Sequence, residues 1–306
     1  HRALFATAVD DYLRTLKSGQ TCLAVSPVWS DIQEFNAAVR TRLKENGTLR
    51  AAERTVPVVQ SLQWTRAQCR RTSSYQPGDV LTFHRPTAGF QRDEHATVIR
   101  REGARLVLRS GSGGEVTFDP RRTSGFDVGL ARELPVAAGD RLLLRANVKA
   151  AGLKNGDIVE VAGFSSSGGL RLTNGYSLPA TFRHFTHGYA TTSHAAQGRT
   201  VDRGLLLLTD NGLAAANLKQ AYVSSSRFRQ TQAIYTTDAR AARAALQRPA
   251  DRLLASELRA PSARTSFRTA LLHRLSRVRL VAPALLLLRG WRDTFLGAAR
   301  GVAVRN

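Results

Sequence analysis

The chain has 306 residues, of which 42% are hydrophobic and 22% charged, so it carries enough apolar material to bury a core, which excludes a globally disordered protein. Lysine and arginine number 45 against 23 aspartates and glutamates, a formal net charge of +22 that indicates a polyanionic partner. The two cysteines, Cys22 and Cys69, exclude a disulfide framework and a cysteine-based zinc site, so we expect a cytoplasmic protein.

The chain contains no methionine, so we expect it to be the C-terminal piece of a longer open reading frame. Its longest apolar run, 280–288, is nine residues long and contains Pro283. A bilayer-spanning helix needs about 20 apolar residues, so the sequence predicts no membrane span. We expect this run to be a buried helix of the C-terminal tail instead.

The first part of the chain, 1–74, alternates helix and strand. An amphipathic pattern predicts a helix that stops at Gly19, and a short apolar strand follows over 21–26. A capping box of Ser30 and Gln33 predicts the start of a second helix. A helix–strand–helix unit of this kind is typical of an α/β domain with a parallel sheet.

The pattern changes to short strands between turn residues over 75–184, after a short helix predicted by a second capping box, Thr65 with Gln68. The stretches 76–81 and 138–143 each begin with a Gly-Asp turn and continue into an alternating strand. We interpret 75–184 as one or two SH3-like or OB-like β-barrels inserted into the α/β domain. The aromatic residues Phe83, Phe90 and Tyr176 are expected to pack in cores rather than to stack on bases. Predicted strands are 80–84, 97–101, 106–109, 116–118, 141–145, 158–164 and 170–172.

The α/β pattern returns over 185–250, with a strand at 205–209, a helix at 213–226, a strand at 233–236 and a helix at 238–247. Because a β module lies between two α/β halves, we interpret the two halves as one domain. The remaining residues, 251–306, are predicted to form a basic helical tail. Its part from Pro261 onward has nine arginines against one aspartate, so it is a candidate for phosphate contacts or a solvated basic face.

Two segments carry residues suited to phosphate chemistry. The first, 188–202, combines small hydroxyl residues, a histidine and a Gln-Gly pair at a predicted strand-to-helix turn, which suits phosphate oxygens. The second, 220–229, is an amphipathic helix that ends in three serines and then presents Arg227 and Arg229. Such an arginine can stabilise the charge that develops on a transferred γ-phosphoryl group.

These two segments resemble motifs V and VI of superfamily 1B DNA helicases of the RecD-like group. The arrangement is most similar to the C-terminal half of the helicase module in TrwC/TraI-type (MobF) conjugative relaxases. The resemblance implies a second RecA-like domain of the P-loop NTPase type, 2A, interrupted by a 2B insertion, in a protein that moves 5′ to 3′ on single-stranded DNA using ATP and Mg²⁺. It covers roughly 1–250 and also includes 24–27, 75–79, 139–141 and 153–157.

The resemblance assigns roles to individual residues. Arg227 matches the motif VI arginine that reaches the γ-phosphate of ATP. Gln197 and Gly198 match the motif V pair that links nucleotide state to the grip on the strand. The remaining positions are expected DNA contacts (Thr192, Ser193, His194, Arg199 and Thr200) and two further candidates (Arg229 and Arg40).

The sequence also departs from the helicase pattern. It has no G-x-x-x-x-G-K-[ST] phosphate loop, and its one Asp-Glu pair, Asp93-Glu94, lies in a polar loop instead of after an apolar strand. The phosphate cradle and the Mg²⁺ ligands are therefore expected in an upstream RecA-like domain. We expect the isolated chain to hydrolyse no ATP and to hold no metal.

The sequence leaves three hypotheses open about the kind of protein. The first is a fragment of a conjugative relaxase-helicase, with other conjugation proteins as further partners. The second is a fragment of a RecD-like repair helicase. The third is a non-enzymatic DNA-binding remnant that uses the barrels and the basic tail.

Overall fold

The computed structural model describes residues 2–50, 52–193, 195–196, 199–249 and 278–281. They form a mixed α/β protein with two compact units. One unit contains the described residues up to Leu49 and from His187 onward, and the other contains 50–186.

The elements are numbered in chain order. The helices are α1 (Arg2–Lys17), α2 (Trp29–Glu45), α3 (Arg66–Arg70), α4 (Asp210–Ala215), α5 (Leu218–Ser225) and α6 (Ala239–Gln247). The strands are β1 (Cys22–Val25), β2 (Glu53–Ser61), β3 (Asp79–Phe83), β4 (His95–Glu102), β5 (Arg105–Ser110), β6 (Glu115–Phe118), β7 (Phe126–Ala137), β8 (Arg141–Leu144), β9 (Ile158–Phe164), β10 (Leu170–Leu172), β11 (Ser177–Leu178), β12 (Phe185–His187), β13 (Ala190–Thr191), β14 (Val201–Leu208), β15 (Phe228–Thr236) and β16 (Val278–Val281).

The first unit is built on a parallel sheet with the strand order β13-β1-β14-β15-β16. All four residues of β1 are buried, and so is the apolar run 205–208 in β14. A parallel sheet covered on both faces needs such continuous apolar strands, which is why the sequence could predict it. The prediction of an α/β unit with a parallel sheet is confirmed.

The start of α2 differs from the prediction. The helix begins at Trp29 after Val28, which makes no side-chain capping bond, so the predicted capping box at Ser30 is wrong. Instead, Ser26 Oγ accepts a hydrogen bond from Val28 N (3.3 Å) and donates one to Asp31 Oδ2 (3.1 Å). Asp31 also accepts from Thr209 Oγ1 (2.8 Å), so a buried polar cluster orders this end of the helix.

The predicted single helix over 213–226 is two helices. Asn217 lies between α4 and α5 in extended conformation, and its side chain accepts from Gln220 N at 3.0 Å, so it begins a new helix. The helix predicted over 238–247 is confirmed as α6, with Asp238 Oδ1 accepting from Arg240 N and Ala241 N.

The prediction of a helical tail is wrong at its one described segment. Val278–Val281 form β16, which pairs in parallel with β15 at the edge of the sheet. These four residues include the start of the apolar run 280–288. The rest of the predicted tail, 251–277 and 282–306, lies outside the described residues.

The second unit begins at Arg50, whereas the sequence placed the start of the insertion at residue 75. The reason is β2, which pairs with β7 along its whole length, from Glu53 opposite Ala137 to Ser61 opposite Gly129. Both strands were missed. The strand β2 is mostly exposed and contains Pro57, and β7 contains Gly129 and Pro135, so neither sequence has the pattern of a regular half-buried strand.

The second unit contains two sheets, with the orders β2-β7-β3-β4-β5-β6 and β11-β10-β9-β8-β12. The strands of the first sheet pair antiparallel throughout, and so do β8 to β11 in the second. Separate core clusters lie on them, one around Phe83 and Phe118 and one around Leu144 and Val161. The predicted strands from 80 to 172 are confirmed within one or two residues at each end, and closure of the sheets into barrels stays a prediction.

Two of the three aromatic residues assigned to cores are confirmed there. Phe83 and Phe90 are buried and stack with ring centroids 4.3 Å apart. Tyr176 is 48% exposed, so its assignment to a core is wrong. It lies in the turn between β10 and β11, where neither core cluster covers it.

The Gly-Asp turn recurs in the structure of this unit. Asp79 Oδ2 accepts from the backbone N–H of Gln76 at 2.8 Å, and Asp140 Oδ2 accepts from that of Ala137 at 2.7 Å. In both turns the preceding glycine has φ near +95°, a conformation that favours glycine. The same turn occurs a third time, at Asp157.

Candidate functional site

The first predicted motif forms a tight turn directly after β13. Thr192 Oγ1 accepts a hydrogen bond from Ala195 N at 3.2 Å, and the Thr192 carbonyl accepts one from Ala196 N at 3.0 Å. A hydroxyl that bonds to a backbone N–H three residues ahead has the geometry of a helix cap. The turn lies at the carboxyl end of a parallel strand, where ligands of open α/β sheets bind.

Ser193 connects this turn to the second motif. Its Oγ lies 2.9 Å from Ser224 Oγ on α5, and Gln220 Nε2 donates to Ser193 Oγ at 3.3 Å. The two motifs, separated by about thirty residues in the sequence, thus share a buried hydrogen-bonded cluster. The sequence placed Ser193 near DNA, whereas its hydroxyl is engaged inside the unit.

Arg227 follows the end of α5 and precedes β15. Its backbone is held on both sides: the N–H donates to the Ser224 carbonyl (3.3 Å) and the carbonyl accepts from Val201 N (2.9 Å). Its side chain is half-buried, and Nε is buried without a hydrogen-bond partner among the described residues. A buried donor without an acceptor is costly, and an anionic ligand at this position would satisfy it.

The residue after Arg227 is fixed by a glycine on the neighbouring strand. A Cβ built on Gly204 of β14 would lie 2.0 Å from Cε1 of Phe228. The Phe228 ring therefore occupies the space that a side chain at position 204 would need. This packing fixes the start of β15 and, with it, the backbone that carries Arg227.

Arg229 has a different environment from Arg227. Its Nη1 lies 3.4 Å from Asp202 Oδ1, and its side chain is 63% exposed. Asp202 is held mainly by Thr21, whose hydroxyl and backbone N–H donate to Oδ2 at 2.6 and 2.9 Å. These bonds, with a smaller contribution from Arg229, lower the pKa of Asp202. Arg229 is therefore one partner of a surface ion pair.

The other residues predicted from the sequence differ in exposure, and three of them lie outside the described part of the chain. Arg199 is half-buried and Thr200 is exposed, immediately before β14. Arg40 is buried on α2 and has an interaction partner, so it is not a free cation. His194, Gln197 and Gly198 lie outside the described residues, so their predicted roles stay predictions.

Sequence reasoning missed Asn36. Its Oδ1 accepts from Ala190 N at 2.8 Å and its Nδ2 donates to the His187 carbonyl at 3.2 Å, so it holds the segment that enters the motif turn. A signal was present in the sequence. Asn36 is a polar residue directly after Phe35 on the buried, apolar face of α2, where a polar side chain needs a partner.

The described residues contain no group of three histidine, cysteine, aspartate or glutamate side chains that could hold a metal ion. None of the helices in the described part of the chain is long and apolar enough to cross a membrane. The polar groups that the described residues bring to this site include the hydroxyls of Thr192 and Ser193 and the guanidinium of Arg227, whose Nε has no acceptor among them.

No family model and no curated protein sequence matches the chain. Solved structures of Pif1 helicases are similar to it at a low level. The Bacteroides Pif1 helicase in complex with ADP-AlF3 and ssDNA is 13% identical with a TM-score of 0.22, over 82% of this chain and 45% of that one. The Candida albicans Pif1 helicase is 11% identical with a TM-score of 0.22, over 86% of this chain and 53% of that one.

The chain thus spans about half the length of the helicase structures that it matches. Similarity at this level defines neither the fold nor the activity of the chain.

Proposed function

We propose that the chain is the C-terminal part of an ATP-dependent DNA helicase of superfamily 1B, and that Arg227 is its arginine finger. Three described arginines, Arg183, Arg203 and Arg227, have a buried Nε without an acceptor among the described residues, and of these Arg227 lies at the end of α5, which contacts the motif turn through Ser224. The observation that carries the proposal is this position together with the unpaired Nε. An arginine finger has this requirement, since it must keep its donors available for the charge that develops on the γ-phosphoryl group.

In this proposal the first unit is the second RecA-like domain, 2A, and the unit 50–186 is the 2B insertion. ATP and Mg²⁺ bind mainly to an upstream RecA-like domain, because the chain has no phosphate loop. When bound, Mg²⁺ would neutralise phosphate charge there. The role of this chain is to bring the Arg227 guanidinium to the γ-phosphate, with its backbone held by Ser224 and Val201.

Coupling to DNA follows from the Ser193–Ser224 contact. A change in the position of α5 on binding or loss of the γ-phosphate is transmitted to the motif turn, because the two serine hydroxyls lie 2.9 Å apart. Thr192, Arg199 and Thr200, together with His194, would contact the backbone of single-stranded DNA, and Gln197 and Gly198 would complete the link. The net charge of +22 supports a polyanionic partner.

The finer assignment is to a conjugative relaxase that moves 5′ to 3′ on the transferred strand. It is supported by the sequence resemblance of 1–250 to the TrwC/TraI type and not by the fold. A RecD-like repair helicase is the second candidate, because it shares motifs V and VI. A histidine-rich nuclease domain with tyrosines upstream in the same reading frame distinguishes the relaxase from the repair enzyme.

The proposal is tested by ATP turnover of the 306-residue chain alone and of the same chain joined to its upstream sequence. The isolated chain is expected to hydrolyse no ATP, and the joined protein is expected to show hydrolysis stimulated by single-stranded DNA. Turnover by the isolated chain, or a joined protein that DNA does not stimulate, would overturn the proposal. The second result would leave a DNA-binding remnant.

A further inference from the structure

The inserted unit contains an acid-free basic segment that the proposed motor does not use. Residues 62–78 include Arg66, Arg70 and Arg71 and no aspartate or glutamate. All three arginines are exposed, and α3, which carries the first two, has no buried residue. We call Arg66, Arg70, Arg71 and the neighbouring Arg101 the arginine ridge.

The segment that carries the ridge is held in place by side chains that pack on the core of the unit. Trp64 packs edge-on against Tyr75, with ring centroids 4.9 Å apart, and Tyr75 Oη donates to the Cys69 carbonyl at 2.6 Å. Trp64 and Cys69 also pack on the core cluster around Phe83. The predicted capping box is confirmed, since Gln68 N donates to Thr65 Oγ1 (3.3 Å) and Thr65 N to Gln68 Oε1 (2.9 Å).

Arg101 adds a fourth positive charge to the same surface. Its Nη1 donates to the Ser73 carbonyl at 3.2 Å, which places its guanidinium against the segment. None of the four ridge arginines forms an ion pair among the described residues. Arg100 and Arg121 in the same unit are different, because Arg100 pairs with Glu102 and Arg121 pairs with Asp119.

We infer that the arginine ridge binds the phosphate backbone of duplex DNA. The guanidinium fork matches phosphate oxygens, and four uncompensated charges on one fixed surface favour a polyanion of high charge density. Binding of single strands relies on exposed rings on which bases stack. Here Tyr75 is fully buried and Trp64 packs on the core, so the ridge offers charge without a stacking platform.

The test compares two triple variants of the full chain. The ridge variant is R66Q/R70Q/R71Q, and the matched control is R100Q/R121Q/R122Q, which removes three exposed arginines that have acidic partners. Fluorescence anisotropy measures their affinity for a blunt duplex of about 20 base pairs and for a single strand of the same length, at several salt concentrations. Thermal unfolding checks that both variants fold.

The ridge variant is expected to bind the duplex about tenfold more weakly at low salt, with a shallower salt dependence, since each lost phosphate contact removes about 0.9 from the slope. The control variant is expected to keep most of the affinity for the duplex. Unchanged duplex binding by the ridge variant, or an equal loss for single strands or in the control, would overturn the inference. The inference would also be overturned if the ridge variant lost as much affinity for anionic vesicles or for polyglutamate as it loses for the duplex.

This inference is separate from the proposed motor. If the joined protein shows no ATP turnover but duplex binding depends on the ridge, the ridge inference is supported and the proposed motor is contradicted. If ATP turnover is stimulated by DNA but duplex binding does not depend on the ridge, the proposed motor is supported and the ridge inference is contradicted.

Discussion

Ser193 and Ser224 place their Oγ atoms 2.9 Å apart, and this contact joins the motif turn after β13 to the helix that ends before Arg227. Both side chains are buried, and Gln220 also donates to Ser193 at 3.3 Å. In the proposed motor this cluster connects the nucleotide side of the unit to its DNA side.

Replacing Ser224 with alanine is expected to cost about 1 kcal/mol of stability, since one buried hydrogen bond is lost while Ser193 retains Gln220. In the chain joined to the proposed upstream RecA-like domain, we expect DNA stimulation of ATP hydrolysis to fall several-fold while hydrolysis without DNA stays nearly unchanged. Ser225→Ala is the control, because its hydroxyl makes no hydrogen bond among the described residues. An equal loss with and without DNA would contradict a coupling role.

Gly204 is expected to tolerate no side chain. Gly204→Ala would place Cβ against the Phe228 ring, where there is no space, so we expect a loss of about 1–3 kcal/mol and a displaced Arg227. Chemical denaturation of the chain measures the loss. Gly111→Ala is the control, since its Cβ would meet no atom within 4 Å. Equal stability of the two variants would show that Phe228 can repack.

Asn36 is expected to stabilise the segment that enters the motif turn. Asn36→Ala would leave the Ala190 N–H and the His187 carbonyl without their partner, at a cost of about 1–3 kcal/mol. The exposed Asn46→Ala at the end of α2 is expected to change stability by less than about 0.5 kcal/mol. Denaturation midpoints of the two variants check this, and similar midpoints would contradict it.

His95 and His184 of the inserted unit are expected to make its stability fall in mild acid. Their Nε2 atoms lie 3.1 Å apart, with one ring donating to the other. Burial, with smaller contributions from His184 and Arg183, lowers the pKa of His95 from 6.5 to about 4, and burial also lowers the pKa of His184. The unfolded chain therefore binds more protons than the folded one between pH 6.5 and 4, so stability falls as the pH falls through this range.

Thermal unfolding followed by Trp64 fluorescence, with Trp29 and Trp291 replaced by phenylalanine, measures this dependence. His95→Gln is expected to flatten the curve between pH 6.5 and 4. His84 is the contrasting control, because its hydrogen bond to Asp127 raises its pKa, and the stability that it adds is lost as the pH rises through the raised pKa. An unchanged slope in the His95 variant would contradict the assignment.

The sequence could predict the parallel sheet because its central strands are continuous apolar runs, as in 205–208 of β14. It could not predict β2, whose pairing with β7 comes from backbone hydrogen bonds that leave little pattern in mostly exposed residues. Both capping boxes matched the same pattern. Only the box of Thr65 and Gln68 forms in the structure. At the start of α2 the cluster of Ser26, Asp31 and Thr209 orders the helix instead of the box predicted at Ser30.

At the site, the residue types of both motifs were visible in the sequence, but their contact was not. Ser193 belongs to a run of hydroxyl residues that suits phosphate, and only the three-dimensional arrangement turns its Oγ toward Ser224. The difference between Arg227 and Arg229 has the same origin. Arg229 meets Asp202 of the neighbouring strand, which no local pattern indicates.

The central claim is that Arg227 is an arginine finger, and DNA-stimulated ATP hydrolysis by the chain joined to the proposed upstream domain tests it most directly. We expect Arg227→Ala to lower kcat by about 10³-fold with ATP binding retained. Arg227→Lys should rescue little of it, because an ammonium lacks the guanidinium fork. Arg229→Ala should retain most activity. If Arg227→Ala hydrolyses ATP at the rate of the unmodified protein, Arg227 is no arginine finger and the proposed motor is contradicted.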